Sequence, residues 1–151
     1  MNQLPMGLRF SIIHRYMRKR MDERLRERDL TGVQLGVLAE LEKLECAGVG
    51  EINQKVLEEA ARVTHPTMTE IIKRLEKKGF IRCETSATDK RSKSIASTDK
   101  AKSLRKEMRD GGEAVFCELS AGLSPQQIAS LVEITDIMLE NVCKKECEKQ
   151  E

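Results

Sequence analysis

Histidine, cysteine and carboxylate side chains carry most protein chemistry, and in this chain of 151 residues they are not arranged for catalysis. The two histidines, His14 and His65, lie far apart in sequence. There is no nucleophile elbow, no phosphate-binding glycine loop and no His/Cys/carboxylate cluster at metal-ligand spacing, so no catalytic residue, cofactor or metal ligand is assigned. Five cysteines, Cys46, Cys83, Cys117, Cys143 and Cys147, are scattered without a Cys-x-x-Cys pair. That pattern argues against both a disulfide framework and a zinc knuckle and predicts free thiols. Cys143 and Cys147 stand four apart, hence on one helix face, where they form either a plain helix tail, a redox pair or half of a soft metal site.

A different chemistry, attraction for a polyanion, is written in the charge pattern. Residues 9–28 hold eight Arg or Lys against three acids, and residues 62–93 hold nine against four, so the rest of the chain is net acidic although the whole is only +2. Local fields rather than totals attract nucleic acid, and two basic blocks between acidic stretches suit a protein with one nucleic-acid-facing surface. The plain alternative is that the basic runs are solvated helix faces.

The elements that must position these residues follow from periodicity. Aromatic residues make up only 3% of the chain, with no Trp, so the interior is built from Leu, Ile, Val, Met and Ala, which favours helices. Ile12, Ile13, Tyr16, Met17, Met21 and Leu25 recur at helical spacing within a long amphipathic helix from Leu8 to about Arg28. Thr31 and Gln34 form a capping-box pattern that opens a second helix with Leu35, Leu38 and Leu41 as its core face. A short helix over Gln54 to Ala61, a turn at Arg62-Val63-Thr64 and a helix from His65 to Lys78, stopped by Gly79, have helix-turn-helix spacing.

In that last helix Thr64 is the expected N-cap and Pro66 sits in the first turn, where its missing N–H does no harm. Met68, Ile71, Ile72 and Leu75 point inward, so Pro66, Glu70, Lys73, Arg74 and Lys77 face out. Phe80–Glu84 and Lys93–Thr98 read as the strands of a hairpin wing around a polar tip. A helix from Asp99 to about Arg109, a break at Gly111-Gly112 and a short helix over Glu113 to Ser120 come next. Ser124-Pro125-Gln126-Gln127 launches a terminal helix to about Lys145, with Ile128, Leu131, Val132, Ile134, Met138, Leu139 and Val142 along it.

That apolar band is too wide for a single core contact. Pairing of both terminal helices with those of a second copy gives a two-fold homodimer, the alternative being that they pack on each other within one chain. No apolar run reaches the roughly 20 residues needed to span a bilayer, and the first residues lack a secretory h-region, so no membrane contact and a cytoplasmic location are expected.

This order of elements resembles the MarR family of multiple-antibiotic-resistance regulators. Five pieces carry the resemblance in sequence: Leu30-Thr31-x-x-Gln34 with Val37, Leu38 and Leu41; Leu57 through Val63-Thr64-x-Pro66-Thr67-x-Thr69; Leu75-Glu76-Lys77-Lys78-Gly79-Phe80-Ile81; Asp89-x-Arg91-Ser92-Lys93; and Thr98-Asp99-Lys100-Ala101. It implies a mainly α fold with a small β-hairpin wing, a winged helix-turn-helix with N- and C-terminal dimerisation helices. The single domain 1–151 would then comprise a winged core over about 30–110 and dimerisation helices over about 5–28 and 113–147. It further implies a non-enzymatic transcription regulator, a repressor in the common case, that sits as a homodimer on a pseudo-palindromic double-stranded DNA operator. Such proteins commonly release DNA when a small-molecule effector or an oxidant alters the dimer. The branch that senses organic hydroperoxides keeps its reactive cysteine in the N-terminal helix, and here no cysteine precedes Cys46. Three positions depart from the pattern: Glu58 stands where the family has a small residue, Arg62 where glycine often makes the turn, and Ser97 where Leu is usual.

Residues near the start of the second helix of a helix-turn-helix meet base edges in the major groove. The expected DNA-binding set is therefore Thr64, His65, Pro66, Thr67, Thr69, Glu70, Lys73 and Arg74, with Thr67 and Thr69 on phosphate or base edges and Lys73 on phosphate. Glu70 fits only as an acceptor from a cytosine amino group, and His65 is either a contact at the groove lip or a solvent-facing first-turn residue. In the hairpin, Arg91 resembles the family's wing arginine that enters the minor groove, with Asp89 bracing it and Lys90 and Lys93 attracting phosphate. Beside the reading as a DNA-binding regulator stand two alternatives, a winged-helix protein–protein module and a thiol-based redox regulator.

Overall fold

A computed structural model describes residues 4–85 and 93–147. Its elements are α1 (Met6–Glu27), α2 (Gly32–Cys46), α3 (Gln54–Ala61), α4 (His65–Lys77), β1 (Ile81–Thr85), β2 (Lys93–Ser97), α5 (Asp99–Leu119) and α6 (Pro125–Cys147). Two units carry them, Met1–Glu113 and Ala114–Glu151, and α5 runs through the boundary.

In the first unit the helix starts form as their capping residues dictate. Thr31 Oγ1 accepts from Gln34 N at 3.3 Å while Gln34 Oε1 accepts from Thr31 N at 3.1 Å, which satisfies two orphan donors at the head of α2. Asn53 Oδ1 accepts from Val56 N at 3.1 Å at the head of α3. Because Gln34 is spent on its cap, it is buried beside Val37, Leu38 and Leu41. Leu35, expected in the central stripe, packs half-buried at the edge of the core instead.

Helix α4 ends in a Schellman closure: Phe80 N donates to Leu75 O and Gly79 N to Glu76 O, both at 2.9 Å, with Gly79 at φ +74°. This use of Phe80 explains why β1 begins one residue later than the alternation predicts. The two strands pair antiparallel, from Ile81 opposite Ser97 to Thr85 opposite Lys93. Ile95 N donates at 2.7 Å to Ile52 O, which ties the hairpin to the connection between α2 and α3.

Leu41, Leu57, Met68 and Leu75 are fully enclosed, and Leu38, Phe80, Ile95 and Leu104 complete the centre of one core. At roughly 1.5–3 kcal/mol per enclosed large aliphatic side chain, this cluster supplies the main favourable term for the winged module.

The break expected at Gly111-Gly112 is absent, since α5 is continuous through both glycines. A Cβ on Gly111 would lie 2.8 Å from Arg24 Nη1. The missing side chain thus admits a guanidinium from α1 rather than ending a helix.

Most of α1 is solvent-facing: Leu25 is buried, while Met6, Leu8, Phe10, Ile12, Ile13 and Met17 are exposed. In the second unit, α6 opens on a capping box, with Ser124 Oγ accepting from Gln127 N at 3.2 Å and Ser124 N donating to Gln127 Oε1 at 2.8 Å. None of its described side chains is buried, and Val132, Ile134, Ile137, Leu139 and Val142 are each about half exposed or more.

Candidate nucleic-acid interface

Helix α4 is amphipathic in the required sense. Met68, Ile71, Ile72 and Leu75 are buried, while Thr64, His65, Pro66, Thr67, Glu70, Lys73 and Arg74 are exposed. Eight of the expected DNA-binding residues therefore share this helix and its cap, although they are not equally free.

Thr64 has the extended backbone of an N-cap, but its hydroxyl makes no capping bond to the backbone and meets Thr67 Oγ1 at 3.0 Å. Thr69 is half-buried, and its hydroxyl accepts from Gln54 Nε2 at 2.8 Å and donates to His65 O at 3.0 Å. Lys73 Nζ lies 3.5 Å from Glu70 Oε1, so the carboxylate has a cation one turn away on its own helix. At this exposure such a pair contributes only tenths of a kcal/mol, and either partner is available to another charge.

His65 is not a bare first-turn residue. Its Nδ1 lies 2.7 Å from Glu58 Oε1, on a side chain three-quarters exposed against a carboxylate only 17% exposed. Gln54 Nε2 donates to the same Glu58 oxygen at 2.8 Å. The carboxylate that breaks the family pattern on α3 therefore holds the first residue of α4. Gln54 and Glu58 were not among the expected site residues; their i, i+4 spacing beside the turn was the available signal.

Arg62, also off the family pattern, caps α3 at φ +52°, the left-handed region in which glycine is at ease. Ser97 receives a partner as well: Glu45 accepts from its N–H and its hydroxyl.

The N-terminal turns of α3 and α4 and both strands surround a cleft of about 660 Å³, lined by Ile72, Cys83 and Ile95 with Lys55, His65 and Lys93. Exposed Lys93 thus joins the face that carries the head of α4. Burial, reinforced by the charge and hydrogen bond of Glu76, pushes the Cys83 thiol up to about 11. Cys46, Cys83, Cys117 and Cys143 are free thiols. Asp89, Lys90 and Arg91 lie outside the described residues, as does the side chain of Cys147. No described helix is long and apolar enough to cross a membrane, and no described group of three or more His, Cys, Asp or Glu is placed to hold a metal ion.

Residues 30–93 match the model of the MarR family. Several solved structures share the fold over nearly the whole chain. MepR of Staphylococcus aureus, a transcription regulator of the multidrug efflux pump MepA, is 22% identical with a TM-score of 0.75 over 92% of this chain and 99% of its own. The YusO protein of Bacillus subtilis is 22% identical with a TM-score of 0.76 over 89% of this chain and 92% of its own. The S. aureus MepR–DNA complex gives 23% identity and a TM-score of 0.71 over 88% of this chain and 96% of that one. The chain is thus similar to the MarR family over residues 30–93, and its fold of six described helices and a two-stranded wing is the winged-helix fold of these solved structures.

Proposed function

We propose that the chain is a non-enzymatic, sequence-specific, double-stranded-DNA-binding transcription regulator. It acts in the cytoplasm as a homodimer on a pseudo-palindromic operator, represses, and lets go of DNA when a small molecule binds. The observation that carries this reading is α4: four apolar residues anchor it, and a mostly polar face of Thr64, His65, Pro66, Thr67, Glu70, Lys73 and Arg74 is left to solvent. A helix held this way has the size and polarity to enter a major groove.

Three further observations support the reading. Lys93 brings a cation from the wing to the same side, where it adds sequence-independent attraction. The exposed apolar residues of α1 and α6 suit burial against a second copy, which presents α4 twice at about one turn of B-DNA, roughly 34 Å. Among the structural relatives, MepR has been solved both with DNA and with ethidium bromide, which is the basis for the operator and for the small-molecule effector.

Selection of bound fragments from random duplex DNA tests the proposal. A recovered palindrome with affinity that falls steeply as salt rises supports it. Binding that is insensitive to salt and sequence would leave a protein-interaction module as the better description.

A further inference from the structure

The hydrogen bonds around His65 determine which of its ring nitrogens carries the proton. Gln54 Nε2 has two hydrogens and four neighbours: Glu58 Oε1 and Thr69 Oγ1, each at 2.8 Å, take them, while His65 Nδ1 at 3.2 Å and His65 O at 3.4 Å are the longer contacts left without one. Thr69 can accept there because its own hydrogen goes to His65 O. Glu58 Oε1 is also 2.7 Å from His65 Nδ1, and two acceptors do not sit that close, so Nδ1 holds a hydrogen. Nε2 is then the uncommitted nitrogen of an exposed ring at the first position of α4.

A neutral ring in this form has only a lone pair at Nε2. Phosphate oxygens are themselves acceptors and offer it nothing. The major-groove edges that donate are the exocyclic amino groups of adenine and cytosine.

On the DNA-binding reading above, we propose that Glu58, itself held by Gln54, is a positioning residue that locks His65 in the Nδ1–H form and so makes it a reader of an adenine or cytosine amino group. Glu58 then touches no DNA, and its departure from the family pattern specifies a base through its neighbour. The carboxylate provides the acceptor; a neutral amide oxygen in the same place would serve.

Two measurements test this. The first needs no DNA: nitrogen NMR of the imidazole in mildly alkaline buffer, on the full chain, should show the Nδ1–H form in the wild type and in Glu58→Gln, and loss of that bias in Glu58→Ala. An Nε2–H ring in the wild type overturns the proposal. The second is fragment selection with wild type, His65→Ala, Glu58→Ala and Glu58→Gln, each checked for a wild-type-like amide spectrum.

His65→Ala and Glu58→Ala should each lower discrimination about ten-fold at the same base pair of each half-site, with an unchanged salt slope, and the double variant should be no worse than either. Glu58→Gln should keep the preference. If Glu58→Ala keeps the preference that His65→Ala loses, or if Glu58→Gln fails like Glu58→Ala, the positioning role is wrong while the DNA reading stands. If the wild type selects no sequence at all, both are wrong.

Discussion

Glu45, at the end of α2, receives both donors of Ser97 at the end of β2, the backbone N–H at 2.7 Å and the hydroxyl at 2.6 Å. The pair is partly buried and joins residues 52 positions apart. Charge-assisted hydrogen bonds of this length are among the stronger contacts available to a small domain. Glu45→Ala leaves an amide donor without its acceptor and should destabilise the protein by about 1–3 kcal/mol, whereas Ser97→Ala, which removes one bond only, should cost about 0.5–1.5 kcal/mol. Urea unfolding gives both values, and amide exchange at Ser97 should quicken in the first variant.

The two central glycines of α5 should respond differently to alanine. Nothing lies within 4 Å of a Cβ built on Gly112, so Gly112→Ala gains helix propensity freely and should stabilise by about 0.5–1 kcal/mol. Gly111→Ala must first displace the Arg24 guanidinium and should fall below it. Thermal denaturation of the two variants side by side decides; equal midpoints would show that Arg24 does not occupy that notch.

Arg62 adopts φ +52° without being glycine. Relief of that left-handed strain by Arg62→Gly should raise stability by about 1 kcal/mol, read from the urea midpoint. A loss instead would mean that the Arg62 side chain contributes more than its backbone geometry subtracts.

Cys83 sets a pH dependence. Its thiol holds its proton to about 11 in the folded protein against an ordinary value of 9.0, chiefly through burial and then through Glu76. The folded state therefore binds this proton more tightly than the unfolded one. The associated stability is fully present below 9.0 and is lost as pH rises through about 11. Cys83→Ala should flatten that alkaline limb, and at neutral pH Cys83 should alkylate more slowly than exposed Cys46 or Cys117. Mass spectrometry of the modified thiols gives the order.

The DNA reading makes separable demands on two cations. Arg91→Ala in the wing should weaken operator binding by about 1–3 kcal/mol and leave the dimer intact. Lys73→Ala should weaken all duplexes alike and reduce the salt slope by about one. Gel shifts over a salt series, with sedimentation for oligomeric state, distinguish them, and an unchanged affinity would remove either residue from the interface.

What could be read from the sequence was local. The capping boxes at Thr31 and Ser124, Pro66 in the first turn and the stripe of Met68, Ile71, Ile72 and Leu75 lie within single helices, where spacing alone determines who meets whom. What escaped depended on elements crossing. The pairings of Glu58 with His65 and of Glu45 with Ser97 join residues on different elements, and each began as an unexplained departure from a family pattern. Gly111 misled for the same reason: a glycine that admits a neighbour and one that ends a helix look identical until the neighbour is seen.

Both ends of α4 are fastened: at its head by Gln54 bridging Glu58 and Thr69, at its tail by the Gly79 closure and by Lys100 Nζ donating to Lys78 O at 2.6 Å. A rod clamped at each tip has no inexpensive way to bow or swivel in its seat. On the function proposed above, whatever turns binding off in a dimer would then change how far apart two such rods are carried, and the reading head itself would emerge from the off state with its shape intact.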